Sequence, residues 1–244
     1  MNEYIKYGKN IFTQFGEDGI IEKLFNDLKI NNGIVVEFGA WDGIYLSNVY
    51  NLWRYNGFKS ILIEGDKNKA EELKKISKKY NQVECVNAFV VPDKNHINSI
   101  DNILSRSLFD INDDNLALMS IDVDSCDYFI FDSLNKYRPK IIIIETNTDK
   151  LGEFATHDSG CSLFSINKLA ISKNYTLVCH TGNAFFVRND LMHLIPNGNY
   201  SVEFLQCDTK KVHELAKIGS DKKEIYFQSD KYNKLIESEL KNLL

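Results

Sequence analysis

The chain has 244 residues, of which 43% are hydrophobic, 12% aromatic and 26% charged, proportions that let a globular chain bury a full core. Three prolines and 13 glycines exclude collagen-like and proline-rich readings, and no apolar run approaches the ~20 residues that a membrane-crossing helix needs. A net charge of −5 offers nothing to the phosphate attraction behind non-specific nucleic-acid binding, so no nucleic-acid partner is expected. The segment MNEYIKYGKN has no apolar signal region, which predicts a cytoplasmic protein. Five scattered cysteines (Cys85, Cys126, Cys161, Cys179, Cys207) without a CxxC pair predict reduced thiols, not a zinc ribbon or a disulfide framework.

Hydrophobic periodicity predicts strands alternating with helices. A helix over Ile20, Ile21, Leu24, Phe25 and Leu28 precedes a first strand, Gly33 to Phe38. Helical spacing at Leu46, Val49, Tyr50 and Trp53 leads to a second strand, Ser60 to Gly65. The lysine-rich run Lys67 to Lys79 reads as a helix with one solvated face, followed by a third strand within Val83 to Val91. Helical spacing at Ile97, Ile100 and Leu104 precedes strand four, Leu116 to Asp124. Tyr128, Phe131 and Leu134 precede strand five, Lys140 to Asn147, whose four consecutive isoleucines suit a strand covered on both faces. A helix at Leu163, Ile166 and Leu169 leads to Tyr175 to Thr181 and Asn183 to Asn189, strands separated only by the Gly182-Asn183 turn. Parallel strands cannot be joined so tightly, so the last strand must be antiparallel. The expectation is an α/β doubly wound, seven-stranded sheet, six strands parallel and one antiparallel, with helices on both faces. That layout resembles the class I S-adenosylmethionine (SAM) methyltransferases. Residues 1–195 are expected to form the domain, with 196–244 an extension packed on it.

Ligands of open α/β sheets bind beyond the carboxyl ends of the strands. After strand one, Glu37-Phe-Gly39-Ala40-Trp-Asp42-Gly43 forms a glycine turn that lets a ligand approach the backbone, with helical N–H groups expected beyond it. Its spacing is not G-x-G-x-x-G, which argues against a dinucleotide. After strand two, Glu64-Gly65-Asp66 offers a carboxylate for ribose hydroxyls, although Asp66 also suits a helix N-cap. Strands four and five deliver Asp122, Asp124, Glu145 and Asn147 to the same rim. Oxygen ligands of this kind favour Mg²⁺ or Mn²⁺, and such an ion could lower the pKa of a substrate hydroxyl.

Taken together, Gln14-Phe-Gly-Glu17-Asp18, Val36-Glu37-Phe-Gly39-Ala-Trp41-Asp42-Gly43, Leu62-Ile-Glu64-Gly65-Asp66, Ser120-Ile-Asp122-Val-Asp124, Ile144-Glu145-Thr-Asn147, Gly160-Cys-Ser162 and Thr181-Gly-Asn183-Ala-Phe-Phe resemble the FkbM-like SAM-dependent methyltransferases. The resemblance runs in order from about residue 12 to 190. It implies O-methylation of a sugar or sugar nucleotide, with SAM as cofactor, in surface-polysaccharide or natural-product biosynthesis. By position, Glu37, Gly39, Asp42 and Gly43 would line the methionine part, Glu64 would hold the ribose, Asn87 and Ala88 would border the adenine, and Ala40, Ser47, Asn48, Gly65 and Asp66 would also bind the cofactor. Gln14 would fold over the cofactor. Asp122 would face both cofactor and metal, with Glu145 and Asn147 completing the metal site and Asp124 serving as base. The family's D-V-E-G-A-E is here Asp122-Val-Asp124-Ser-Cys-Asp127, which leaves Asp127, His180 and His157 as alternative bases. The connection Thr148 to Ser159 is expected to cover the acceptor, and the extension beyond Pro196 suits self-association into a homo-oligomer.

Two other classes compete. Nucleic-acid amine methylation requires an Asp/Asn-Pro-Pro-aromatic motif, yet Pro92, Pro139 and Pro196 are isolated. A non-catalytic SAM-fold binding module needs none of the acids at three strand ends.

Overall fold

The computed structural model describes residues 3–217 and 230–243. In chain order, α1 is Glu17–Asp27, β1 Ile34–Phe38, α2 Tyr50–Tyr55, β2 Lys59–Glu64, α3 Lys67–Lys79 and β3 Val83–Asn87. Then follow α4 (Ile100–Leu104), β4 (Leu116–Ile121), α5 (Asp127–Ser133) and β5 (Ile141–Glu145). A small hairpin, β6 (Ala155–Thr156) and β7 (Gly160–Cys161), leads into α6 (Leu163–Ser172), β8 (Tyr175–His180) and β9 (Asn183–Arg188). Helices α7 (Val202–Leu205), α8 (Thr209–Leu215) and α9 (Asp230–Leu243) make up the C-terminal extension. No helix among the described residues is long and apolar enough to cross a membrane.

The main sheet has the order β3-β2-β1-β4-β5-β9-β8. Strands β1 to β5 pair in parallel, and β9 runs antiparallel to both β5 and β8. The Gly182-Asn183 turn therefore produces the antiparallel strand that its length demanded, and β9 inserts between β5 and β8.

Period-two alternation divides the strand side chains between two apolar layers. Ile141 and Ile143 of β5 join the layer beneath α1, α2 and α3, while Ile142 and Ile144 join the layer beneath α4, α5 and α6. Each such buried isoleucine contributes roughly 1.5–3 kcal/mol of apolar burial. Helix α3 follows the lysine spacing: Ala70, Leu73 and Ile76 are buried, and the Asp66 carboxylate caps its start by accepting from the Asn68 and Lys69 N–H groups at 2.9 Å.

Several elements differ from the sequence expectation. The helix after β1 starts only at Tyr50, because the intervening loop is held by other bonds. Gly39, Trp41, Gly43 and Leu46 all have positive φ, and Asp42 closes an Asx turn on the Ile44 and Tyr45 N–H groups. Strand β3 ends at Asn87, not Val91, since its last edge position pairs with Glu64 and the chain then turns toward the rim. The connection after β5 contains the β6–β7 hairpin, fastened where Ser162 N–H donates to Phe154 O and Asn147 N–H to Cys161 O, both at 2.8 Å. None of the five cysteines forms a disulfide, and Cys161, Cys179 and Cys207 are buried.

Candidate active site at the carboxyl rim of the sheet

The carboxyl ends of β1, β2, β4 and β5 open onto a cavity of about 760 Å³, within the ~300–1,000 Å³ usual for small-molecule sites. Its floor is Glu37, the last polar residue of β1. Ser47 Oγ donates to its Oε2 at 2.5 Å and the Asn48 N–H to its Oε1 at 2.7 Å, so the carboxylate gathers in the loop that follows its own strand. Asn48 Nδ2 then donates to Ser120 Oγ at 3.0 Å, fixing that loop to β4. Burial pushes the Glu37 carboxyl up to about 7, opposed by the Ser47 and Asn48 donors.

Gly39 (φ 69°) lies where a Cβ would collide with the Asp122 carbonyl, so β1 and β4 approach there as only glycine allows. At the end of β2, Glu64 accepts from the Trp41 N–H at 2.8 Å and from the Asp66 N–H at 2.7 Å. One carboxylate thus joins the turns after β1 and β2. Each of its oxygens keeps lone-pair capacity for a further donor. Gly65 lets the Phe89 ring lie against the backbone: a Cβ there would fall 2.5 Å from the ring. Phe89, 74% exposed, and Trp41, 49% exposed beneath the Lys69 ammonium at 4.4 Å, flank this end as apolar platforms.

Opposite them, Asp122, Asp124 and Glu145 bring carboxylate oxygens within 4.8 Å of one another. Burial and the neighbouring charge of Glu145 hold the Asp122 carboxyl well above the usual range, and burial with the charges of Asp127 and Asp124 raises Glu145 to about 7. Asp124 is the exposed member and has φ 62°, in the left-handed region. Three hard oxygen donors whose charges repel are chemically suited to a divalent cation.

The N-terminal segment forms a cap on this cavity. Asp18 accepts from the Ile11, Phe12 and Thr13 N–H groups at 2.8, 2.8 and 3.1 Å. Glu17 accepts from the Phe15 N–H at 2.6 Å and from Asn183 Nδ2 at 3.0 Å, which ties the cap to β9. Gln14 and Glu17 consequently line the cavity.

The structure brings together Gln14, Glu37, Gly39, Ala40, Ser47, Asn48, Glu64, Gly65, Ala88 and Asp122, with Asp124 and Glu145 across from them. Other sequence candidates have different work. Asp42 closes its own turn, Asp66 caps α3, and Gly43 packs against Leu73 and Leu62. Asn87 Nδ2 donates to the carbonyls of Glu64 (2.9 Å) and Gly65 (3.2 Å), bracing the turn from behind. Asn147 spends its side chain on the hairpin, donating to Ser159 O at 3.2 Å and accepting from the Asp149 N–H.

The alternative bases are also otherwise engaged. Asp127 accepts from the Val123 N–H at 2.8 Å and folds the turn between Asp122 and α5; burial raises it to about 6. His180 is buried and both ring nitrogens are bonded: Nδ1 accepts from the Cys207 N–H at 2.9 Å, and Nε2 meets Thr146 Oγ1 at 2.9 Å. Thr146 Oγ1 itself donates to Gly182 O at 2.7 Å, which assigns the proton of neutral His180 to Nε2. Burial lowers His180 to about 4, so it joins the C-terminal extension to the sheet without reaching the rim. His157 stacks on Phe129 at 3.8 Å, and none of residues 148–161 lines the cavity. Sequence reading missed Tyr45, Phe89, Val90, Ser125 and Cys126 as lining residues; only their nearness to strand ends could have signalled them.

The strand order, with the antiparallel strand inserted next to the edge, is that of the class I SAM-dependent methyltransferases, and the chain has that fold. No protein-family model and no curated protein matches the sequence. The chain is similar to several solved structures at low identity and with TM-scores below 0.5. A SAM-dependent methyltransferase from Aquifex aeolicus is 10% identical over 68% of this chain and 88% of its own, with a TM-score of 0.43. M. capricolum TrmK in complex with S-adenosyl-homocysteine is 14% identical over 90% and 83%, with a TM-score of 0.41. Geranyl diphosphate C-methyltransferase from Streptomyces coelicolor A3(2), in complex with Mg²⁺, geranyl diphosphate and S-adenosyl-L-homocysteine, is 11% identical over 93% and 76%, with a TM-score of 0.45.

Proposed function

We propose that this chain is an FkbM-like SAM-dependent O-methyltransferase acting on a hydroxyl of a sugar or sugar-like acceptor. The observation that carries the reading is the single cavity in which Glu64 and the Gly39 turn face the Asp122, Asp124 and Glu145 carboxylates. Glu64 would hold the ribose, Trp41 and Phe89 the adenine, and Glu37 with Asp122 the methionine part. When bound, SAM would supply an electrophilic methyl group for an acceptor hydroxyl oxygen to attack, with S-adenosylhomocysteine as the leaving group. Asp124 receives the hydroxyl proton, because it is the exposed carboxylate of the group, while Asp122 and Glu145 orient the acceptor. A divalent cation held by the same three carboxylates would make the hydroxyl more acidic.

Among the described residues lining the cavity there is no Lys, Arg or His, whereas Glu17, Glu37, Glu64, Asp122, Asp124 and Glu145 all line it. This favours a neutral glycan over a phosphate-bearing acceptor, because an anion would enter against uncompensated carboxylates. A sugar nucleotide becomes acceptable only with a cation at the acidic group. The test is incubation of the protein with methyl-labelled SAM and paired acceptors, neutral glycosides against nucleotide sugars, followed by mass spectrometry. Methyl transfer to a sugar hydroxyl supports the reading; bound SAM without S-adenosylhomocysteine formation on any acceptor favours a binding module.

A further inference from the structure

Two walls of the cavity converge on Tyr50. Its backbone N–H donates to Ser47 Oγ at 3.0 Å, the same hydroxyl that donates to Glu37. Its fully buried ring meets Phe12 edge-on, at 4.6 Å and 78°, and Phe12 belongs to the cap that Asp18 closes. The position of this ring therefore bears on both the loop beneath the cofactor cavity and the cap above it.

What holds the ring is the C-terminal helix. Glu239 of α9 accepts from the Tyr50 hydroxyl at 2.6 Å and the Tyr55 hydroxyl at 2.8 Å, with Arg54 Nε 3.9 Å away. Glu239 is 9% exposed, and Ile236 and Leu243 of the same helix enter the apolar layer beneath α1, α2 and α3. Lys79 at the end of α3 donates to Asn242 O at 2.8 Å, so α9 is fastened to the helices on both sides of β2. A carboxylate accepting two phenol hydroxyls in a buried setting is a strong, charge-assisted contact. It acts on the helix that follows the loop holding the positive-φ residues Gly39, Trp41, Gly43 and Leu46.

We infer that α9 is a clasp on the cofactor cavity, with Glu239 the positioning residue that holds Tyr50 and, through it, the Gly39–Val49 loop and the N-terminal cap. The C-terminal extension thereby takes a part in cofactor affinity, which rests on the SAM reading of the cavity but not on which acceptor is methylated.

The test uses the full chain and two readouts, amide hydrogen exchange by mass spectrometry and calorimetric titration with SAM. Glu239→Ala removes the acceptor for both hydroxyls. Exchange across residues 40–49 should then quicken roughly tenfold or more, with β1 and β4 unchanged. SAM affinity should fall by a similar factor. Glu239→Gln keeps an oxygen acceptor and should stay within about threefold of the parent. If Glu239→Ala fails to fold, Tyr55→Phe removes one of the two bonds and should quicken the same amides about threefold. Unchanged exchange over 40–49, or an equal acceleration throughout the sheet in Ala and Gln variants alike, would overturn the clasp. Absence of SAM binding to the parent protein would strike the methyltransferase reading instead, while the exchange data still decide the clasp.

Discussion

Ser47 and Glu37 are ten residues apart and joined by a 2.5 Å hydrogen bond that closes the loop after β1 back onto the strand it left. The bond explains why a regular helix does not begin at Leu46: the Ser47 hydroxyl and Asn48 amide are committed to a carboxylate in the sheet. Burial nonetheless raises the Glu37 carboxyl to about 7, against the pull of this donor. A cationic ligand group beside it would favour ionisation. Near neutral pH, SAM binding should therefore release a proton from Glu37, and affinity should rise between pH 6 and 8. Calorimetry in buffers of different ionisation enthalpy checks the release. Glu37→Gln should abolish it.

Asp124 is the exposed carboxylate of the acidic group, and its loss should separate binding from chemistry. Asp124→Asn should leave SAM affinity within about threefold of the parent while slowing methyl transfer roughly 10²–10⁴-fold, the usual worth of a general base. Calorimetry gives the first number and S-adenosylhomocysteine formation the second. Unchanged turnover removes Asp124 from the mechanism.

The crowding of the Asp122, Asp124 and Glu145 carboxylates predicts the effect of a divalent ion on stability as well as rate. Both carboxyls are raised in the folded protein, so their unfavourable contribution grows as pH rises from the ordinary carboxylate range toward the Glu145 value of about 7 and is fully present above it. At pH 8, Mg²⁺ or Mn²⁺ should raise the melting temperature and EDTA reverse the rise. Glu145→Gln should stabilise the metal-free protein and remove the ion's effect. Full activity in excess EDTA would rule out an essential exchangeable ion.

His180 makes a prediction of opposite sign. Its folded value of about 4 lies below the ordinary 6.5, so the unfolded chain binds more protons in that window. Its contribution to stability is present above pH 6.5 and lost as pH falls toward 4, by about 3 kcal/mol in all. Urea unfolding should show the parent losing up to about that much more stability than His180→Gln between pH 7 and 4. Equal pH slopes would mean that His180 is not held neutral.

Much of this was legible in the sequence because its signals are local. The isoleucine run fixes a strand buried on both faces, the Gly182-Asn183 turn fixes an antiparallel neighbour, and the lysine spacing fixes α3. The rim acids follow from where strands end. What local pattern could not supply depends on contacts between distant segments. His180 looks like a free strand-end base until Cys207, from the extension, occupies its Nδ1. Asp66 and Asn87 stand beside Glu64 in sequence or register but face the helix cap and the back of the turn. Phe89 reaches the cavity only because Gly65, in another βα turn, leaves room for its ring.

A crystal structure with S-adenosylhomocysteine bound should show the ribose hydroxyls within hydrogen-bond distance of Glu64, the adenine between Trp41 and Phe89, and the sulfur directed toward Asp124. Ligand bound elsewhere, or with its sulfur turned away from Asp122 and Asp124, would contradict the SAM reading of the cavity.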